Sequence, residues 1–149
     1  MDNLIIRKMG KDDLHAVHAI EQASFITPWS FQSLKSDLKN KLAYYCVADK
    51  ESDIVGYAGM WIVFDESHIT NVAVDKNFRR NGIGRAIMEH MVDVAIDKGA
   101  TAMTLEVRRS NTAAQSLYSQ MGFMQYGIRR GYYTDTNEDA LILWKQLAQ

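Results

Sequence analysis

The segment HITNVAVDKNFRRNGIGRAIM, residues 68–88, places the strongest constraint on how this chain can fold. It starts with β-branched residues in the alternation typical of a strand, passes through a loop with two glycines, and ends in apolar residues at helical spacing. A strand that leads through a short loop into a helix is the first half of a crossover between parallel strands. We therefore expect some parallel sheet with a helix packed on it.

The rest of the sequence predicts strands and helices that belong to one mixed sheet. In chain order, the predicted elements are a strand at 4–7, a helix ending near 24, a helix from about Thr27 or Ser30 through Leu38, strands at 43–49, 54–64 and 67–74, a helix from Ile83 to Lys98, a strand at 103–107, a helix through 111–121, and strands near 123–130 and 139–145. Pro28 is well suited to the first turn of the second helix.

The order of these elements predicts the fold class. Polar turns join the three strands between 43 and 74, which indicates an antiparallel meander. We expect an α/β fold (an α+β mixed sheet) in one domain, residues 1–149, with parallel crossovers around 74–107 and about four flanking helices.

Composition limits the possible partners. The chain has 149 residues, of which 47% are hydrophobic, enough for one domain with a substantial core. The formal net charge is -1, so a broad basic surface for nucleic acid is not expected and any anion site must be local. Cys46, the single cysteine, lies in a predicted strand, which indicates a buried side chain rather than a nucleophile. His15 and His18 have no acidic partner at metal-site spacing, so no metal is expected.

The sequence also indicates where the protein works. The N-terminal segment fits neither a secretory signal nor a transit peptide. The longest apolar run, residues 54–64, is interrupted by glycines and is too short to cross a bilayer. We expect a cytoplasmic protein with no membrane partner, present as a monomer or a weak dimer.

The loop between Val74 and Ile83 has the chemistry of a phosphate site. The unpaired N–H groups of the helix start, together with the positive end of the helix dipole, attract an anion. Gly82 and Gly84 allow a tight turn and a close approach of a diphosphate to the backbone. Three arginines cluster here, Arg79, Arg80 and Arg85. From these residues alone, an ordinary turn with solvent-facing arginines stays open.

Two familiar phosphate loops fit the spacing poorly. A dinucleotide fingerprint needs a small residue three positions after Gly84, where the bulky Ile87 stands, although Glu106 falls about 20 residues further on as that fingerprint requires. A P-loop needs Gly-Lys-Ser/Thr at its end, which the sequence lacks. A dinucleotide-binding domain therefore remains only a weaker alternative.

The pattern Arg79-x-x-Gly82-x-Gly84 closely resembles the R/Q-x-x-G-x-G/A pyrophosphate loop of the acetyl-CoA-dependent N-acetyltransferases of the GNAT superfamily. Residues 68–88 look like that family's central strand and loop, and LEVRRSNTAAQSLYSQMGF looks like its next strand and helix. This second stretch, with RRGYYTDTNEDALIL after it, is most similar to the bacterial ribosomal-protein-alanine N-acetyltransferases of the RimI type. The likeness runs from about Leu4 to Leu147 and is most specific between Ile69 and Tyr133.

The resemblance implies a set of cofactor contacts for acetyl-CoA. In this family, backbone groups of the central strand hold the pantetheine arm, the loop holds the pyrophosphate, and an asparagine at the head of the later helix adds a contact. The corresponding residues are Val72, Ala73, Val74, Arg79, Arg80, Asn81, Gly82, Ile83, Gly84, Arg85 and Asn111. Asn111 is also a good helix N-cap, and capping alone could explain it.

The resemblance also implies two catalytic residues. Glu106, which alternates with Leu105 and Val107 in a strand, has the family's role of general base for the amine. Tyr118, two helical turns after Asn111, has the role of general acid for the departing thiolate. A solvent-facing glutamate and a half-buried structural tyrosine are the alternatives from the residues themselves.

The expected acceptor is the N-terminal α-amine of a protein, by resemblance a ribosomal protein that begins with alanine. In the family, residues at Trp29, Tyr132 and Tyr133 lie at the acceptor groove; Trp29 and its neighbour Phe31 could equally be core. His68, at the start of a strand, is a further candidate for assisting proton transfer. A small amine, a lysine side chain, or a non-catalytic acyl-CoA binding module are the alternatives.

Overall fold

The computed structural model describes residues 3–147, which form one seven-stranded sheet and four α-helices. The strands are β1 (Leu4–Lys8), β2 (Ala43–Lys50), β3 (Asp53–Val63), β4 (Glu66–Val74), β5 (Ala102–Arg108), β6 (Met124–Tyr133) and β7 (Glu138–Gln146). The helices are α1 (Leu14–Ser24), α2 (Phe31–Leu38), α3 (Ile83–Asp97) and α4 (Thr112–Gln120), with short 3-10 turns at Lys11–Asp13 and Lys76–Phe78.

The sheet is mixed, as the sequence predicts. Its strand order is β1-β2-β3-β4-β5-β7-β6. Each neighbouring pair in the described sheet is antiparallel except β4 and β5, which run parallel and are joined by the crossover through α3. The β2–β3–β4 meander and the crossover between β4 and β5 confirm the predicted fold class.

The parallel pair is short, and the two strands separate beyond it. Pairing joins Glu66–His68 to Ala102–Thr104 and stops there. Further along, β4 stays paired with β3 as far as Val74, and β5 stays paired with β7 as far as Arg108. One edge of each strand is therefore left open toward the other, and a cleft forms between them.

A β-bulge in β4 coincides with the point of separation. The β3–β4 register passes from Met60 opposite Ile69 to Gly59 opposite Asn71, which leaves Thr70 as the extra residue. A bulge of this kind bends the strand and increases its twist, so it directs the second half of β4 away from β5.

The two faces of the sheet carry separate hydrophobic clusters. The larger cluster lies under α3 and α4 and includes Met103, Leu105 and Val107 of β5. The smaller cluster lies under α1 and α2 and includes Tyr45, Tyr57 and Ala73. Because strand side chains alternate, Glu106 points to the opposite face from Leu105 and Val107.

The start of the second helix differs from one detail of the prediction. The helix begins at Phe31, with Ser30 as the N-cap whose hydroxyl accepts the Ser33 N–H at 3.0 Å. Pro28 therefore lies outside the helix, in the irregular segment that connects α1 and α2. A side-chain cap satisfies an unpaired helix N–H, which a proline in the first turn does not do, so Ser30 sets the boundary.

Cys46 is fully buried in β2, as predicted, and burial raises the pKa of its thiol to about 12.

Between residues 3 and 147, none of the helices has the length and apolar character needed to span a bilayer. Within the same residues, His, Cys, Asp and Glu side chains do not gather in groups of three or more that would suit a metal ion.

Candidate active site

The opening between β4 and β5 is a cavity of about 390 Å³. Ile69–Val72 of β4 and Leu105–Arg108 of β5 form its two long walls. The segment between α1 and α2 closes it on one side of the sheet, and Ala114 and Tyr118 of α4, with the N-cap Asn111, close it on the other. We call this cavity the β4–β5 cleft.

Glu106 lies on the β5 wall of the cleft and is largely buried. Its Oε1 lies 2.9 Å from Nε2 of His68 on β4, and it accepts a longer hydrogen bond of 3.4 Å from the hydroxyl of Tyr132. Burial is the largest influence and raises the pKa of Glu106, but the hydrogen bond and charge of His68 and the charge of Arg129 together outweigh it. The pKa therefore lies below its ordinary value, and the carboxylate is ionised at neutral pH.

Tyr118 reaches the cleft from α4 and is only 5% exposed. Its ring packs at 5.6 Å from that of Phe123, and burial raises the pKa of its hydroxyl to about 12. The hydroxyl has no hydrogen-bond partner among residues 3–147, yet no fully buried side-chain oxygen or nitrogen in that range lacks one. The Tyr118 hydroxyl must therefore face open space, which here is the cleft.

Asn111 has the capping position that the sequence predicts. Its side-chain oxygen accepts the N–H of Ala114 at 3.2 Å at the start of α4. It also lines the β4–β5 cleft. The cap occupies the amide oxygen, so the NH₂ group remains available as a donor.

The loop before α3 presents backbone N–H groups, as expected for an anion site. Gly82 is the N-cap in the left-handed conformation, with φ of 77°. The Ala86 N–H makes the first helical bond, to the Gly82 carbonyl at 3.0 Å. The N–H groups of Ile83, Gly84 and Arg85 therefore precede the helical ladder and have no side-chain cap.

The three arginines of this loop have different surroundings. The Arg79 side chain donates to the Val74 carbonyl at 3.1 Å, which ties the loop to the end of β4. Arg85 lies on the surface of α3 and contacts Glu89 and Gln120, each at 3.4 Å. Arg80 is exposed and has a positive φ of 67°. The backbone amides, rather than three converging arginines, are thus the common feature of the loop.

The predicted acceptor residues divide into two groups. Trp29 and Tyr133 both line the cleft, and the Arg108 guanidinium stacks on the Tyr133 ring at 4.0 Å. Tyr132 is 44% exposed and contacts Glu106 at the edge of the cleft. Phe31 does not line the cleft; its ring stacks on His15 at 4.7 Å, which places it between α1 and α2.

Two polar residues of the cleft carried no motif in the sequence. Glu21 of α1 is only 2% exposed and lines the cleft together with Asn71 of β4, which is 8% exposed. A signal for Glu21 was nevertheless present, because it lies four residues after Val17 and seven after Leu14, on the apolar face of the helix. A glutamate on a buried face needs polar partners, but the sequence alone does not reveal which distant residues supply them.

Comparison with known proteins identifies the family. The sequence model of the acetyltransferase (GNAT) family matches residues 14–123. The chain therefore belongs to this family, and it is an N-acetyltransferase that takes its acyl group from acetyl-CoA.

Individual relatives cover nearly the whole chain. A Bacillus subtilis (strain 168) protein is 41% identical over 140 residues, 93% of each chain. The [ribosomal protein bS18]-alanine N-acetyltransferase of Escherichia coli (strain K12) is 36% identical over 140 residues, 93% of this chain and 94% of its own. The crystal structure of the ribosomal-protein-S18-alanine N-acetyltransferase from Escherichia coli superposes with a TM-score of 0.90 at 34% identity, over 98% of this chain and 95% of that one.

The two loop glycines provide a test of the prediction that this loop binds the cofactor. Gly82→Ala places an L-residue at a φ of 77°, which costs about 1–2 kcal/mol, so the loop should relax and displace its amides. A Cβ on Gly84 would lie 3.7 Å from Leu117 and 3.8 Å from Val74, which are ordinary contacts. Calorimetric titration with CoA should show a Kd about tenfold higher for Gly82→Ala and little change for Gly84→Ala, because the pyrophosphate-loop pattern that the segment resembles accepts alanine at position 84.

Gly84→Ala is the matched control, because it adds the same methyl group two residues away without backbone strain. An equal loss of CoA affinity in both variants would contradict the assignment of the left-handed turn at Gly82 to cofactor binding.

Proposed function

We propose that this enzyme acetylates the N-terminal α-amine of a protein, and that the acceptor is a ribosomal protein that begins with alanine. The observation that carries the proposal is the ionised Glu106 on the wall of a cleft that opens between β4 and β5. The names of the relatives at 36–41% identity support the acceptor, because the Escherichia coli protein is named for the alanine of ribosomal protein bS18.

The basicity of Glu106 favours an N-terminal amine over a lysine. A carboxylate with a lowered pKa is a weak base, so it is suited to an ammonium that loses its proton readily. An α-ammonium has a pKa of about 8, against about 10.4 for a lysine side chain. Proton transfer to Glu106 is therefore less unfavourable by more than two pKa units for the N-terminal acceptor.

The reaction follows from this arrangement. The N-terminal ammonium loses one proton to Glu106, and its neutral nitrogen then attacks the thioester carbonyl, so that an N–C bond forms and the C–S bond breaks. Tyr118 donates its proton to the sulfur that leaves, and the second proton that the nitrogen loses as the amide forms replaces it on the Tyr118 oxygen. His68, whose side chain is 42% exposed, connects Glu106 to solvent and gives the proton a route out of the cleft.

The remaining residues bind and orient the two substrates. In this proposal, the open edge of β4 at Val72, Ala73 and Val74 holds the pantetheine arm. The loop from Arg79 to Arg85 holds the pyrophosphate through its amides, and Asn111 adds a donor from α4. The acceptor peptide lies against a set of aromatic side chains, Trp29, Tyr132 and Tyr133.

The acceptor also suggests where and in what form the enzyme acts. We infer that it meets its substrate in the cytoplasm and works as one domain, because a single sheet extends from Leu4 to Gln146. A monomer or a weak dimer suffices, since each wall of the described cleft comes from the same chain.

A peptide assay tests the acceptor class. One peptide begins with a free alanine and carries an internal lysine; its control has the same sequence with a blocked N-terminus. We expect thiol release from acetyl-CoA with the first peptide alone, and mass spectrometry should locate the acetyl group on the terminal nitrogen. Acetylation of the lysine in both peptides would contradict the proposal and favour the side-chain alternative.

The pH dependence of Glu106→Gln tests the base. Wild-type enzyme can use the ammonium form of the peptide at any pH at which Glu106 is ionised. The variant can use only the neutral amine, which is the minor form below a pH of about 8. The ratio of wild-type to variant kcat/KM should therefore fall about tenfold per pH unit from pH 6 to 8, and level off above the amine pKa of about 8. A ratio that stays constant from pH 6 to 9 would show that Glu106 does not act as the base.

A further inference from the structure

A second carboxylate, that of Glu21, lies in the β4–β5 cleft but has no part in the reaction above. We propose that Glu21 is a positioning residue: it holds the segment between α1 and α2, residues 25–30, against β4 and so sets the affinity for the acceptor. The inference rests on the proposed function, since it assumes that Trp29 in this segment contacts the acceptor.

Glu21 is held by donors from two different elements. One carboxylate oxygen, Oε2, accepts the backbone N–H of Trp29 at 2.9 Å. The other, Oε1, accepts the hydroxyl hydrogen of Tyr57 on β3. The carboxylate therefore joins the middle of the connecting segment to the sheet.

The contact continues from Tyr57 to the bulge of β4. The side-chain amide of Asn71 donates to the Tyr57 hydroxyl oxygen at 3.3 Å, and the Thr70 hydroxyl donates to the Asn71 oxygen at 2.8 Å. Both Thr70 and Asn71 line the cleft at the point where β4 turns away from β5. A line of hydrogen bonds thus links Trp29 to the strand that faces the reacting groups.

The connecting segment is held by the packing of Phe25 and Trp29 against the smaller hydrophobic cluster and by few hydrogen bonds among the described residues. Residues 25–30 belong to neither a helix nor a strand, and Ile26 is 69% exposed. Near the middle of the segment, the Thr27 hydroxyl donates a hydrogen bond to Asp135, and this bond is long at 3.4 Å. The bond from Trp29 to Glu21 is 2.9 Å long, and its shorter length makes it the stronger of the two.

Each oxygen of Glu21 faces a donor, so the site requires two acceptors. Burial raises the pKa of Glu21 above its ordinary value, and the hydrogen bond from the Trp29 N–H offsets only part of that rise. Because the Tyr57 oxygen accepts from Asn71, its one hydrogen is directed to Glu21, and the Trp29 N–H can only donate. A glutamine would keep one oxygen acceptor but would turn an NH₂ group toward a second donor.

A buried carboxylate elsewhere in the chain provides a matched control. Asp37 of α2 is 7% exposed and accepts hydrogen bonds from Tyr45 at 2.6 Å and from the Trp61 indole at 3.0 Å. It is as well bonded as Glu21 but does not line the β4–β5 cleft. Loss of either carboxylate should lower the melting temperature, whereas only Glu21 should affect the acceptor.

The test compares Glu21→Ala, Glu21→Gln and Asp37→Ala in steady-state assays with the alanine peptide. For Glu21→Ala we expect the KM for the peptide to rise about tenfold, the fold-change of one lost buried hydrogen bond, with the KM for acetyl-CoA nearly unchanged. Glu21→Gln, which keeps an oxygen for Trp29, should recover part of this loss. Asp37→Ala should leave both KM values unchanged.

Exchange of the Trp29 amide hydrogen, followed by NMR, gives a readout that does not depend on activity. It should be faster in Glu21→Ala than in wild type and unchanged in Asp37→Ala. An unchanged peptide KM or Trp29 exchange rate in Glu21→Ala, or an equal rise in peptide KM in Asp37→Ala, would overturn the inference. Failure of the wild type to acetylate the peptide would instead refute the proposed function, and the exchange rates would still decide whether Glu21 holds the segment.

Discussion

Three residue pairs hold β4 against β5, and the separation of the strands after His68 and Thr104 is the constraint on which the site depends. Beyond this point β4 remains paired with β3, and β5 remains paired with β7, so the opening leaves the other strand pairs of the sheet intact. The unpaired edges would be expensive in a dry core, because buried N–H and C=O groups need partners. Here they face a cleft that a polar cofactor can fill. The Thr70 bulge, which bends β4 away, is therefore a functional feature of the fold rather than an irregularity.

The proposed reaction requires an ionised Glu106 and a protonated Tyr118 at its start, and the surroundings of the two side chains favour both states. The pKa of Glu106 is lowered by His68 and Arg129 in spite of burial, so the proposed base is ionised and can accept a proton. Burial raises the pKa of the Tyr118 hydroxyl to about 12, so the proposed acid still carries its proton. Two titratable groups in one cleft are thus driven in opposite directions by their surroundings, which separates the roles of acid and base. Glu21 is a third acidic group in the cleft, each oxygen of which accepts one hydrogen bond, and in our proposal it serves geometry rather than proton transfer.

Much of the fold could be predicted because local periodicity decides it. The alternation in β4 and the apolar stripe of α3 are visible in the sequence, and both elements lie within a few residues of their predicted bounds. The site could be predicted less completely from the sequence, because it depends on contacts between residues that are distant in the chain. His68 and Glu106 are 38 positions apart, and the Thr70 bulge is a matter of register between strands, which no single strand reveals. Family resemblance supplied Glu106 and Tyr118, whereas Glu21 carried no motif and emerged only once α1 was placed on the sheet.

The most direct test of the central claim is a crystal structure of the enzyme with a bisubstrate compound, CoA joined through its acyl group to the amine of an alanine peptide. The account predicts that the pyrophosphate lies at the amides of Ile83–Arg85 and that the sulfur lies within hydrogen-bonding distance of the Tyr118 hydroxyl. The linked nitrogen should lie between β4 and β5, within reach of Glu106 directly or through one water. A compound bound outside the opening between these strands, with Glu106 and Tyr118 on no common path to its sulfur and nitrogen, would contradict the account.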